Sequence, residues 1–142
     1  ATLCAARRLG IAGQLPNTAK RTMTVARHLA VFLVERGGRI LARQRPAGAV
    51  NAFFWELPQA ELRGVRPNLA RVASETLGIQ PLTATPLCAV FHNITRYRIR
   101  AGAYAGRLLR PLPKARWLTN GEVRQQAFSG LDRKILQRLG YP

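Results

Sequence analysis

Three carboxylates fall close together around Phe54-Trp-Glu-Leu-Pro-Gln-Ala-Glu-Leu62 and the segment after it: Glu56, Glu61 and Glu75. Clustered carboxylates hold hard, oxygen-seeking ions such as Mg²⁺ against a diphosphate. That work needs several of them together, and between Arg71 and Ile79 only Glu75 is acidic. Glu56 sits where strand alternation would aim it, and Glu61 lies near the start of a loop. The set is too sparse, so no metal site is expected and Glu75 reads as a solvated helix residue.

A second group is polar and basic. His92-Asn93-Ile94-Thr95 reads as a connection between strands, and Arg96, Arg98 and Arg100 follow it, alternating with Tyr97, Ile99 and Ala101. On a strand, a period of two puts the three guanidinium groups on one face, where they would meet phosphates. Thr95 carries a hydroxyl that can donate or accept, and a backbone N–H can supply a further donor. Together they could read the edge of a base. His92 fits either a base contact or a hairpin-supporting role. No residue in this group is expected to be catalytic.

These residues belong to a chain of 142 residues, the size of one ordinary domain, with 47% hydrophobic residues to close a core. Lys and Arg number 23 against six acids, a net charge of +17. The basic residues are spread along the chain rather than gathered in a tail. A folded surface facing an extended polyanion is therefore expected, with nucleic acid as the partner. No apolar run approaches the roughly 20 residues needed to span a bilayer, so no membrane partner is expected. Cys4 and Cys88 are too few for a disulfide framework and point to a reducing interior. Cys88, in a strand pattern, reads as a packed core thiol.

Residues 1–26 lack a sustained apolar period and read as a linker or tail, leaving 27–142 as the folded domain. The run Arg27 to Glu35 predicts a strand, Gly37-Gly38 a tight turn, and Arg39 to Arg45 a second strand. A short strand from Phe54 to Leu57 ends at Pro58. Pro67 suits the first turn of a helix whose apolar face is Leu69, Val72, Ala73, Thr76 and Leu77, with Gly78 as its stop. Strands at Leu87–Phe91 and Arg96–Ala105 follow, then "ARWL" and two short helices, the last preceded by Ser129 and Asp132 at capping spacing. Strands outnumber helices, giving an α+β class with a mixed sheet and flanking helices.

Several of these pieces resemble the Nudix fold from about Leu29 to Leu139: the hairpin ending "ARQRP", the "WELP" strand, and the helix ending Glu75-Thr76-Leu77-Gly78-Ile79. A working Nudix hydrolase carries Arg-Glu-hydrophobic-any-Glu-Glu-any-Gly-hydrophobic in its helix. Here Arg71, Glu75 and Gly78 match, Val72 and Thr76 replace two glutamates, and Gln59 and Ala60 stand where glycines would precede the helix. The ordered set of Cys4, Gly10, Leu15-Pro16, Lys20, "ARQRP", "FWELPQ", "FHNITRYRI", "ARWL" and "LDRKIL" is similar to the C-terminal domain of the adenine DNA glycosylases, the MutY family, which excise adenine mispaired with 8-oxoguanine.

That resemblance implies that residues 1–26 link the domain to an N-terminal glycosylase domain missing from this chain. It implies that Cys4 is the last of four cysteines of a 4Fe–4S cluster in the intact parent, while this chain alone holds no cofactor. Its partners would be double-stranded DNA containing 8-oxoguanine and the parent's own catalytic domain, in a monomeric protein of the cytoplasm and nucleoid. Ile94-Thr95-Arg96 corresponds to the family's Phe-Ser-His loop, making His92, Asn93, Ile94, Thr95, Arg96, Arg98 and Arg100 the expected DNA- and lesion-binding residues. The alternative is a Nudix hydrolase of a nucleoside diphosphate derivative with relocated acids and a non-standard metal site.

Overall fold

The computed structural model describes residues 4–15 and 23–142. Pro16 and Lys20, two positions of the expected linker, lie outside the described residues. In chain order the elements are α1 (Ala5–Arg8), β1 (Val25–Leu33), β2 (Glu35–Arg36), β3 (Arg39–Gln44), β4 (Trp55–Glu56), β5 (Gln59–Glu61), α2 (Leu69–Leu77), β6 (Ile79–Pro81), β7 (Cys88–Ile94), β8 (Tyr97–Leu108), β9 (Ala115–Thr119), α3 (Asn120–Gln125) and α4 (Gly130–Arg138). One sheet runs β5-β1-β8, with β7 and β6 both pairing β8; the other runs β2-β3-β4, with β9 on β3. The β1–β8 pairing is parallel and the others within these sheets are antiparallel, so the α+β class with a mixed sheet holds.

The unbroken burial of Ala30 to Val34 follows from this placement, because β1 is covered on both faces. On one side Val31 and Leu33 join Ile99, Ala101, Leu131, Ile135 and Leu136 of β8 and α4. On the other, Ala30 and Phe32 join Ala73 and Leu77 of α2. The helix α2 starts where the Asn68 side chain accepts the Arg71 N–H at 2.9 Å. It stops where Gly78 takes φ +61°, a left-handed conformation that costs glycine least. Pro67 therefore precedes the cap rather than opening the first turn.

Other boundaries moved as well. The apolar run expected as one strand to Glu35 breaks at Val34: β1 enters the first sheet, and only β2 forms the hairpin with β3. At its start β1 reaches back to Val25, whose N–H donates to the Arg96 carbonyl at 2.8 Å. In the expected tail, α1 forms a single helical turn. Ser129 caps α4 as the spacing predicts, accepting the Asp132 N–H at 3.3 Å. Asp132 does more than share that cap. It is fully buried, accepts the Leu57 N–H at 3.1 Å, and so ties α4 to the segment after β4. Burial pushes its pKa up to about 7. No helix among the described residues is long and apolar enough to cross a membrane.

Candidate functional site

Each of the three glutamates is already committed to an arginine. Glu56, 5% exposed, accepts from Arg43 Nε at 2.8 Å and from the Gln59 amide at 2.8 Å, with Arg45 at 3.6 Å. Glu61 lies within β5, not at a loop start, and takes a two-pronged contact from Arg27 at 2.8 and 3.0 Å with Arg63 beside it. Those bonds hold its carboxyl down at about 2. Glu75 accepts from Arg71 one helical turn earlier, at 2.8 Å on the exposed face of α2. Among the described residues no three of His, Cys, Asp and Glu are placed to share a metal ion. The carboxylate donors present do not fit a magnesium site of the kind the Nudix helix carries.

The connection expected over residues 92–95 is shorter than that. Cross-strand pairing of β7 with β8 continues to Ile94↔Tyr97, leaving Thr95 and Arg96 as a two-residue turn. Thr95 has φ +50° and Arg96 is not in the positive region. A two-residue hairpin with this pattern takes glycine at its first position, so a β-branched residue there is strained. The pairing of β7 with β8 imposes that conformation and leaves Thr95 exposed at the tip.

Below the tip the candidate residues divide between two faces. His92 and Ile94 pair with Ile99 and Tyr97, on the side of the core that α4 covers. The His92 ring lies against Gly130, where an added methyl would come within 3.3 Å of it. Burial and nearby Lys134 lower its pKa. His92 thus packs beside the start of α4, on the covered side of the hairpin. Asn93 and Phe91 pair with Arg98 and Arg100, which stand exposed on the opposite face. Arg96 leaves the expected stripe of three: its guanidinium donates to the Tyr97 hydroxyl at 3.1 Å and lies 5.2 Å from that ring. The period of two ends with the strand, and Arg96 is already in the turn.

Phe91 and His28 join this open face and were not anticipated. The register across three strands places Phe91, Arg100 and His28 in one row, with Asn93, Arg98 and Ala26 in the next. Phe91 is 72% exposed although large and apolar. Its signal in the sequence was the buried Val90 beside it, which by alternation turns Phe91 outward. Among the described residues neither Arg98 nor Arg100 is in an ion pair. The face therefore offers two unneutralised guanidinium groups, an exposed aromatic ring and, at its end, a hydroxyl. Of the cysteines, Cys4 is exposed at the start of α1, and Cys88 is half-buried against the core, where burial raises its pKa.

A NUDIX domain model matches residues 30–138. No curated protein matches the chain. Among solved structures, the MutT Nudix hydrolase of Burkholderia pseudomallei is 25% identical, covering 80% of this chain and 97% of that one, with a TM-score of 0.63. The C-terminal domain of mouse MUTYH, solved in complex with human PCNA, is 26% identical over 78% of this chain and 85% of its own, with a TM-score of 0.57. The MutT protein of Methanosarcina mazei, at 16% identity, 82% and 94% coverage and a TM-score of 0.66, shares the fold. With most of its length matched, from the middle of β1 to the end of α4, the chain belongs to the Nudix domain family.

Proposed function

We propose that this domain reads 8-oxoguanine in duplex DNA, as the C-terminal domain of an adenine DNA glycosylase whose catalytic groups lie in another domain of the same protein. One observation carries the reading: Thr95, its backbone strained, stands exposed at the tip of a hairpin whose open face presents Arg98 and Arg100. Oxidation turns the guanine N7 acceptor into an N–H donor and adds a carbonyl at C8. The Thr95 hydroxyl can accept from that N–H while a tip backbone N–H donates to the new carbonyl. Ile94, 42% exposed beside the turn, offers an apolar contact to the opened base step. Arg98 and Arg100 neutralise phosphates and fix the register on the duplex. In the intact parent, Cys4 would supply one thiolate of the 4Fe–4S cluster.

The competing reading, hydrolysis of a nucleoside diphosphate derivative, draws on the similarity to the Burkholderia MutT hydrolase. It would require Glu56 to leave Arg43 and Glu61 to leave Arg27, leaving two half-buried guanidinium groups without their partners. Titration of the chain into a duplex at increasing salt separates the two. The lesion reader should bind with a log–log slope of roughly −0.9 per phosphate neutralised, and Arg98→Ala or Arg100→Ala should each reduce that slope by about one unit. Binding indifferent to salt, together with turnover of an oxidised nucleotide in Mg²⁺ that is lost on Glu75→Gln, would favour hydrolysis instead.

A further inference from the structure

The outer edge of β7 has no place in that reading. Among the described residues β7 pairs with β8 alone, so its other side carries no strand. At seven residues it is the longest strand among those described with a free edge; the next, β9, has five. Natural sheets guard such edges with proline or charge, and Cys88–Ile94 contains no Pro, Lys, Arg, Asp or Glu. Backbone alternation fixes which groups face outward. The Ala89 carbonyl accepts from Arg138 Nη1 at 3.1 Å, so Ala89 turns away from β8, and in an antiparallel ladder every second residue does the same. The N–H and C=O groups of Phe91 and Asn93 therefore point off the sheet, and among the described residues no loop or side chain bonds them.

A groove of about 360 Å³ follows this edge, lined by Val90, Phe91, Lys134, Gln137 and Arg138. Helix α4 runs antiparallel to β7 along it, with Arg138 against Ala89 and Gly130 against the His92 ring. Lys134 and Arg138 stand exposed one helical turn apart, and among the described residues neither is in an ion pair. Four residues of helix rise about 6 Å, close to the roughly 7 Å between alternate side chains of a strand. A strand laid on β7 would bring two carboxylates, two residues apart, onto these two cations. The residue between them would turn to the open face, beside the exposed Phe91 ring.

We propose that β7 docks an extended acidic segment of a partner protein, which adds to the sheet as a further strand. Carboxylates at alternate positions meet Lys134 and Arg138, and an apolar side chain between them packs on Phe91. The inference does not rest on lesion reading. An outward row of alternating N–H and C=O groups suits a polypeptide. It does not suit a nucleic acid, whose phosphates only accept hydrogen bonds and would face the Phe91 and Asn93 carbonyls unfavourably. A second copy of this chain fits no better, because it would bring its own Lys134 and Arg138 up to these in a chain of net charge +17.

Titration of the whole chain with the peptide acetyl-Thr-Val-Asp-Leu-Asp-Val-Thr-amide, with amide hydrogen exchange followed by NMR, tests the proposal. Saturating peptide should slow exchange at Phe91 and Asn93 about tenfold or more, while Val90 and His92, which face β8, change little. Methylating the peptide's leucine nitrogen removes a donor to the edge and should weaken binding about tenfold. Lys134→Glu should weaken it by about the same factor without lowering the melting temperature, and a peptide with both aspartates replaced by lysine should not bind. No binding at millimolar peptide, equal binding of the lysine or methylated peptide, or unchanged exchange at Phe91 and Asn93 would overturn the proposal. Protection of these amides by a duplex oligonucleotide but not by the peptide would assign the edge to nucleic acid, and protection that grows with protein concentration alone would assign it to a second copy; either result also overturns it.

Discussion

Asp132→Asn should reverse part of the pH dependence of folding. The wild-type carboxyl is fully buried, and its pKa rises from 3.8 to about 7, chiefly by desolvation, against the opposing hydrogen bonds from Ser129 and the Leu57 N–H. A carboxyl with a raised folded pKa favours the fold while protonated. Its stabilisation is complete below the unfolded pKa of 3.8 and is lost as pH rises through about 7. A span of roughly three pH units at 1.36 kcal/mol each gives about 4 kcal/mol, a large share of the roughly 5–15 kcal/mol that holds a domain together. Asparagine keeps the oxygen that accepts the Leu57 N–H but cannot ionise. Urea unfolding of both proteins at pH 4, 5.5, 7 and 8, followed by tryptophan fluorescence, gives the difference between them at each pH. That difference should move in favour of the variant by up to about 4 kcal/mol from pH 4 to pH 8. A flat difference, or a wild type that gains on the variant as pH rises, would show that the buried carboxylate is held charged by α4 and Arg45, and the desolvation argument would fail.

Thr95→Gly should raise stability by about 1 kcal/mol or more by relieving the left-handed backbone, measured by thermal unfolding; a loss would mean the tip is not strained. Gly78→Ala should destabilise α2, because its Cβ would fall 2.3 Å from the Arg110 side chain at a φ of +61°, and a melting temperature equal to wild type would contradict the packing. Arg27→Ala should narrow the acid range of stability. The Glu61 carboxyl, held at about 2, supports the fold above its unfolded pKa of 4.5 and loses that support as pH falls toward 2. An acid-unfolding midpoint that does not move would show the pair contributes nothing.

Local features were legible in the sequence. Gly78 stops α2 by backbone chemistry confined to a few residues, and Ser129 with Asp132 marks the start of α4 for the same reason, whereas the Asn68 cap of α2 was passed over in favour of Pro67. The features missed depend on distant partners. Strand β5 exists because Gln59 to Glu61 pair with Leu29 to Val31, and β6 because Ile79 to Pro81 pair with Gly106 to Leu108; neither short run has a strand pattern of its own. The pairing of Glu56 with Arg43 comes from strand register, and that of Glu61 with Arg27 spans 34 residues, so a count of acids along the chain could not show that they were occupied. At the hairpin, alternation placed Arg98 and Arg100 correctly. It failed at Arg96 because the turn runs one residue further and includes it, and it left Phe91 unremarked because an apolar residue in a strand reads as core until its neighbours' burial is known.

The most direct test compares affinity for two duplexes that differ in one base, 8-oxoguanine or guanine opposite adenine, for the wild-type chain, Thr95→Ala and Arg98→Ala. The account predicts that the wild type prefers the lesion. Thr95→Ala should lose about 1–3 kcal/mol of that preference with little change in binding to the guanine duplex, while Arg98→Ala weakens both duplexes alike. Equal affinity of the wild type for the two duplexes, or a preference that survives Thr95→Ala and vanishes in Arg98→Ala, would contradict the assignment of this hairpin as the reader of the lesion.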